Sequence, residues 1–133
     1  MILIIGGAYQ GKLDYAVKLV GCDREAFVDG AVCNMEDMAV AKGIFHFHEY
    51  VRRRLQQDKT LEGCILAKEI IENNPNLVVV SNELGYGIVP VDKFDRLWRE
   101  TTGRVCTELA AYAQEVHRVV CGLGMILKKR EME

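Results

Sequence analysis

Gly6-Gly7-Ala8-Tyr9-Gln10-Gly11-Lys12-Leu13 keeps every fixed position of the phosphate-binding pattern G-x-x-x-x-G-K-[ST] except the last, where leucine replaces a hydroxyl residue. In such a loop, successive backbone N–H groups and the dipole of the following helix face an anion, and the lysine reaches its terminal phosphates. The alternative is a glycine-rich turn that binds nothing, but the glycine spacing, Lys12 and the flanking pattern all agree with phosphate binding. Residues Gly6, Gly7, Ala8, Tyr9, Gln10, Gly11, Lys12 and Leu13 are therefore the expected binding set for a nucleoside triphosphate. Leu13 cannot offer Mg²⁺ the inner-shell oxygen that a serine or threonine supplies, so a weakened Mg²⁺ site is expected.

Two carboxylates could serve that metal and the chemistry. Asp29 closes a short apolar stretch, and Glu83 comes just after the apolar strand that begins with Leu77 to Val80, so both are expected at one edge of a sheet as metal ligands and, with Lys12, as catalytic residues. Asp29 is equally suited to a turn or cap before Gly30. His46 and His48 differ by two positions, so on one helix they should point about 200° apart and hold no metal together. Arg52-Arg53-Arg54 is expected on a solvated face, and His117, within an apolar run, in a structural role.

The elements that must position these groups follow from patterning. Ile2 to Ile5 reads as a strand buried on both faces, and Lys12 to Val20 as a helix that Gly21 ends. A strand over Ala26 to Asp29 and a loop to Asn34 come next, followed by a helical region from Met35 to Asn74 with breaks at Gly43 and Asp58 to Thr60. Leu77 to Ser81 is a third strand, and Asn82 to Pro90 a glycine-containing loop at its carboxyl end. Asp92 to Ala113 is helical with an expected interruption at Gly103, Val116 to Leu127 is a strand or hairpin, and Lys128 to Glu133 is a tail expected to fray.

Strands separated by helices predict an α/β protein: a three-layer P-loop (RecA-like) fold whose mainly parallel sheet is flanked by helices, with ligands at the carboxyl ends of the strands. At 133 residues the chain is expected to form a single nucleotide-binding domain, 1–133. With 17 Lys+Arg against 19 Asp+Glu, it lacks the basic excess of a non-specific nucleic-acid binder. No apolar run approaches the roughly 20 residues of a membrane-spanning helix, so no membrane partner is expected. The five scattered cysteines fit reduced thiols, and the whole reads as a cytoplasmic protein.

One segment goes beyond a phosphate-binding loop. Val80-Ser81-Asn82-Glu83-Leu84-Gly85-Tyr86-Gly87-Ile88-Val89-Pro90 resembles the V-S/T-N-E-V-G-x-G-I-V-P signature of the adenosylcobinamide kinase / adenosylcobinamide-phosphate guanylyltransferase family of cobalamin biosynthesis. Supporting likenesses are Phe27-Val28-Asp29-Gly30, Asn34, Arg96, Arg99, Gly103-Arg104-Val105, Leu109-Ala110, Glu115-Val116, Gly122-Leu123 and Lys128, so the resemblance spans residues 1 to 34 and 77 to 128. It implies a protein that phosphorylates the aminopropanol hydroxyl of adenosylcobinamide, then transfers GMP from GTP through a guanylyl-histidine, and that assembles as a homo-oligomer, commonly a trimer. Three departures stand out. Leu13 replaces the hydroxyl residue, and Cys106-Thr107 replaces an Asn-Gln pair. The segment that normally carries the guanylylated histidine is reduced to Gly21 to Glu25. His46 and His48 follow Asp29 and do not match that histidine by order in the chain. The resemblance thus implies a shortened relative that retains the kinase step more readily than guanylyl transfer; the alternative is a degenerate relative that binds a nucleotide or corrinoid as a regulatory or scaffolding module.

Overall fold

The fold was obtained as a computed structural model that describes residues 1–84 and 92–130. Gly85 to Pro90 of the loop singled out above, and the last three residues of the tail, lie outside the described residues. Six strands form one sheet in the order β2-β3-β4-β1-β5-β6: β1 (Ile2–Gly6), β2 (Phe27–Asp29), β3 (Gly43–Phe45), β4 (Val78–Asn82), β5 (Glu115–Val120) and β6 (Leu123–Lys129). All neighbours pair in parallel except β5 and β6, an antiparallel hairpin with a register shift between Val116 and His117. The α/β expectation with a mainly parallel sheet holds.

Strand side chains alternate between two apolar layers, as pleating requires. Ile4, Val78, Val80 and Val119 pack with Ala16 of α1 (Lys12–Val20) on one face. Leu3, Val79 and Val116 face the other layer, where α2 (Met35–Val40), α3 (Phe47–Gln57), α4 (Gly63–Asn73) and α5 (Lys93–Tyr112) supply Met38, Phe47, Val51, Leu66, Ile70, Val105 and Leu109. Central strands covered on both faces must be apolar at successive positions, which is why Ile2 to Ile5 and Leu77 to Val80 stand out in the sequence.

Several local expectations change. The Gly43 break is a strand, because Gly43 lies against the Phe27 ring in register with it and any side chain there would overlap that ring. Helix α5 runs unbroken through Gly103, whose Cα faces open space, so nothing but helix propensity opposes it there. Strand β2 starts at Phe27 after a 3-10 turn at Arg24–Ala26. Pairing with β5 holds β6 in extended form to Lys129 instead of letting it fray at Lys128. Among the described residues, no helix is long and apolar enough to cross a membrane.

Candidate functional site

The glycine-rich loop joins β1 to α1 at the carboxyl edge of the sheet, as its order in the sequence requires. Gly6 ends β1 where an added Cβ would meet the Val119 carbonyl oxygen and the Lys12 stem, so only glycine lets the chain turn there. Gly11 precedes α1 with a left-handed φ of 82°. The loop is fastened to the β5–β6 turn by Gln10: its carbonyl accepts from Gly122 N–H at 2.8 Å, and its Oε1 accepts from Cys121 N–H at 2.6 Å. Tyr9, also left-handed at φ 60°, is fully exposed at the loop's apex. Lys12 is buried and donates to the Gly7 carbonyl at 2.7 Å, which ties the lysine to the loop it would share with a phosphate. Burial lowers its pKa, and the nearby Glu83 carboxylate opposes that shift.

A cavity of about 620 Å³ opens over this loop, within the usual range of small-ligand sites. Residues 8 to 13 form one side; Arg24, Phe45, His46, His48, Glu49 and Asn82 contribute to the rest. The strand order explains the meeting. Phe45 and Asn82 end β3 and β4, and the chain leaving β3 enters α3 at once, carrying both histidines over the loop.

His46 and His48 therefore do not diverge around one helix. His46 precedes α3 with a left-handed φ of 52°, so helical spacing does not govern it, and the two rings lie edge-on with centroids 6.0 Å apart. His46 Nδ1 lies 3.0 Å from Asp29 Oδ1, the same oxygen that accepts Ala31 N–H at 2.9 Å. His48 is only 6% exposed; its Nδ1 accepts Asn82 N–H at 3.2 Å. Its carbonyl accepts Trp98 Nε1–H at 2.8 Å, and the Trp98 ring stacks on its imidazole. Burial first, then the neighbouring positive charges of His46 and Lys12, push the His48 pKa down from 6.5 to about 4, so the ring is neutral near pH 7.

The two sequence-selected carboxylates stand apart. Asp29 is engaged by His46, while Glu83 forms a two-pronged ion pair with Arg118, at 2.9 Å from Nε and 3.3 Å from Nη2. Glu83 N–H also donates to the Gly6 carbonyl at 2.8 Å, which holds Glu83 beside the loop. Leu13 brings no oxygen, and no group of three or more His, Cys, Asp or Glu side chains among the described residues is placed to hold a metal. Any inner-sphere oxygen for Mg²⁺ would therefore have to come from Asp29, Glu83 or the nucleotide and not from position 13.

The arginine run also departs from a solvated face. Arg53 donates to the Gly30 and Cys33 carbonyls at 2.9 and 2.7 Å, fixing the loop after Asp29. Arg54 pairs with Glu69, and Arg52 lies over the Trp98 ring with its guanidinium carbon 5.1 Å from the centroid. His117 is buried between Tyr15 Oη at 2.7 Å and Glu115 Oε1 at 3.1 Å, which agrees with its expected structural role. The sequence reading missed Arg24, Glu49 and Trp98. Glu49 carried a signal in its proximity to the histidines, whereas Trp98 is separated from His48 by fifty positions and gave none.

Comparison with known proteins bears on this arrangement. The family model described as cobinamide kinase / cobinamide phosphate guanyltransferase matches residues 49–127, more than half of the chain. The chain belongs to that family. Two relatives are each 48% identical to it over 52 residues, covering 39% of this chain and 29% of the relative: the bifunctional adenosylcobalamin biosynthesis proteins CobU of Escherichia coli K12 and of Salmonella typhimurium LT2. The aligned stretch thus spans less than a third of the length of these curated relatives. The family match takes in Glu49, Glu83 and Trp98, while the loop Gly6 to Lys12, Asp29, His46 and His48 lie outside it.

Proposed function

We propose that residues 1–133 act as one nucleotide-binding domain that holds GTP or ATP over the loop Gly6 to Leu13 and uses it to phosphorylate adenosylcobinamide. The observation that carries this reading is Lys12, buried on the wall of a 620 Å³ cavity at the point where a strand, a glycine loop and a helix follow in order. Lys12 binds the terminal phosphates, and the loop amides and the N-terminus of α1 hold the rest of the anionic tail. Asp29 and Glu83 are assigned as the carboxylates beside the site; because both are already paired, they act on a nucleotide-borne Mg²⁺ only through water. Mg²⁺, when it arrives with the nucleotide, neutralises phosphate charge. The reading includes a cytoplasmic setting and a homo-oligomer, in the form of a trimer.

Leu13 and the short Gly21 to Glu25 segment favour a second reading, in which the protein binds a nucleotide or corrinoid without turnover. Calorimetry with ATP and GTP, followed by a phosphorylation assay on adenosylcobinamide, separates the two. Replacing Lys12 by Ala should weaken nucleotide binding by about tenfold or more, since a charge-assisted hydrogen bond contributes about 1.5 to 3 kcal/mol. Equal affinity in the variant and the parent overturns the site. Binding without phosphorylated cobinamide selects the second reading.

A further inference from the structure

Two neighbouring side chains in the first turn of α3, His48 and Glu49, line the cavity. Asn82 N–H occupies His48 Nδ1, which places the imidazole proton on Nε2. The nearest carboxylate oxygen to Nε2 is Glu49 Oε1 at 3.8 Å, beyond hydrogen-bond distance. A fixed donor and a carboxylate acceptor thus stand side by side on the wall of the cavity that Lys12 also lines.

The chemistry of that gap is selective. An oxygen set to one side of the pair, within hydrogen-bond reach of both, must accept from Nε2–H and donate to Glu49, which a hydroxyl does. A phosphate oxygen has no proton to give and is repelled by the carboxylate; an ammonium cannot accept from Nε2–H. We propose that His48 and Glu49 form the subsite for the hydroxyl group of the phosphoryl acceptor, with Nε2–H binding its oxygen and Glu49 taking its proton. This rests on the kinase reading above and names the residues that serve its second substrate. The subsite lines the same cavity as Lys12, the lysine assigned to the phosphates. Trp98 holds the histidine by stacking on its ring and donating to its carbonyl.

The step balances. The hydroxyl oxygen attacks the γ-phosphorus of the bound triphosphate and forms an O–P bond, while the bond from that phosphorus to the β–γ bridging oxygen breaks. Its electron pair leaves with the nucleoside diphosphate. The hydroxyl proton passes to Glu49 and from there to water.

The test uses the whole chain with GTP or ATP and adenosylcobinamide, following phosphorylated cobinamide and nucleoside diphosphate, with nucleotide affinity measured separately by calorimetry. Glu49→Gln keeps the shape and removes the proton acceptor, so turnover should fall by about 100-fold or more while nucleotide affinity stays within about threefold. His48→Gln retains an N–H and should raise the KM for cobinamide less than His48→Phe, which has none. His48 is buried and its variants can lose stability; Glu49, with its side chain 34% exposed, decides the matter alone. Parental turnover in Glu49→Gln overturns the subsite, as does a tenfold loss of nucleotide affinity in that variant, which would place Glu49 in nucleotide binding. A parent that makes no phosphorylated cobinamide overturns the kinase reading and this subsite together.

Discussion

Acid should destabilise this protein through His48. The ring is buried, its Nδ1 already accepts the Asn82 amide, and burial together with the charges of His46 and Lys12 brings its pKa from 6.5 to about 4. In the unfolded chain the imidazole recovers its ordinary value. Between about pH 6.5 and pH 4 the unfolded state therefore binds a proton that the folded state does not, and stability falls as pH falls. The contribution is complete above the unfolded value and changes no further below the folded one. Within the window the slope approaches about 1.4 kcal/mol per pH unit, and from pH 7.5 to pH 5 the loss sums to about 2 kcal/mol. Against a typical domain stability of about 5–15 kcal/mol, that is readily measured.

The assay is urea unfolding of the parent and of His48→Gln at both pH values. Every other titratable side chain is common to both proteins, so the difference between the two acid losses reports on His48 together with the groups coupled to it. The variant should start less stable at pH 7.5, because Asn82 N–H loses its acceptor, yet lose about 2 kcal/mol less on acidification. Equal acid losses in the two proteins would refute the assignment of a neutral, buried His48.

Three other outcomes follow from the same geometry. Leu13→Ser restores an inner-shell oxygen, so the affinity gained on adding Mg²⁺ to a nucleotide titration should rise; no change would mean that other groups hold the metal. Tyr15→Phe removes the hydroxyl bonded to buried His117 Nδ1 and should cost about 1–3 kcal/mol in urea unfolding, whereas a neutral result would show that water replaces it. Incubation with GTP and Mg²⁺ should leave the intact mass unchanged if, as the family resemblance implies, Gly21 to Glu25 stands where that family carries its guanylylated histidine; an acid-labile gain of one GMP, absent in His46→Asn, would assign the transfer to His46.

What the sequence displayed of the site, and what it hid, divides along the range of the interactions. The loop from Gly6 to Lys12 was legible because its work is done by backbone conformation and one lysine within eight residues, and glycines mark such conformations directly. Strands β1 and β4 were legible because burial on both faces demands unbroken apolar runs. Strand β3 was not: at three residues it is too short to show a period, and its first residue is the glycine that sequence reading takes for a break.

The missing strand is also the reason the histidines were misplaced. With β3 read as part of a helical region, His46 and His48 fall on one helix and diverge. Once Gly43–Phe45 pairs with β2 and β4, helix α3 must begin at the carboxyl edge of the sheet, and a single left-handed residue, His46, makes the turn. That turn sets His46 against Asp29 and His48 against Asn82, each at the end of a strand that neighbours β3. A three-residue strand thus decides which side chains face the glycine-rich loop, and the polar wall formed by His48 and Glu49 depends on it. The turn into α3 brings two imidazoles, those of His46 and His48, to the wall of the cavity over the glycine-rich loop.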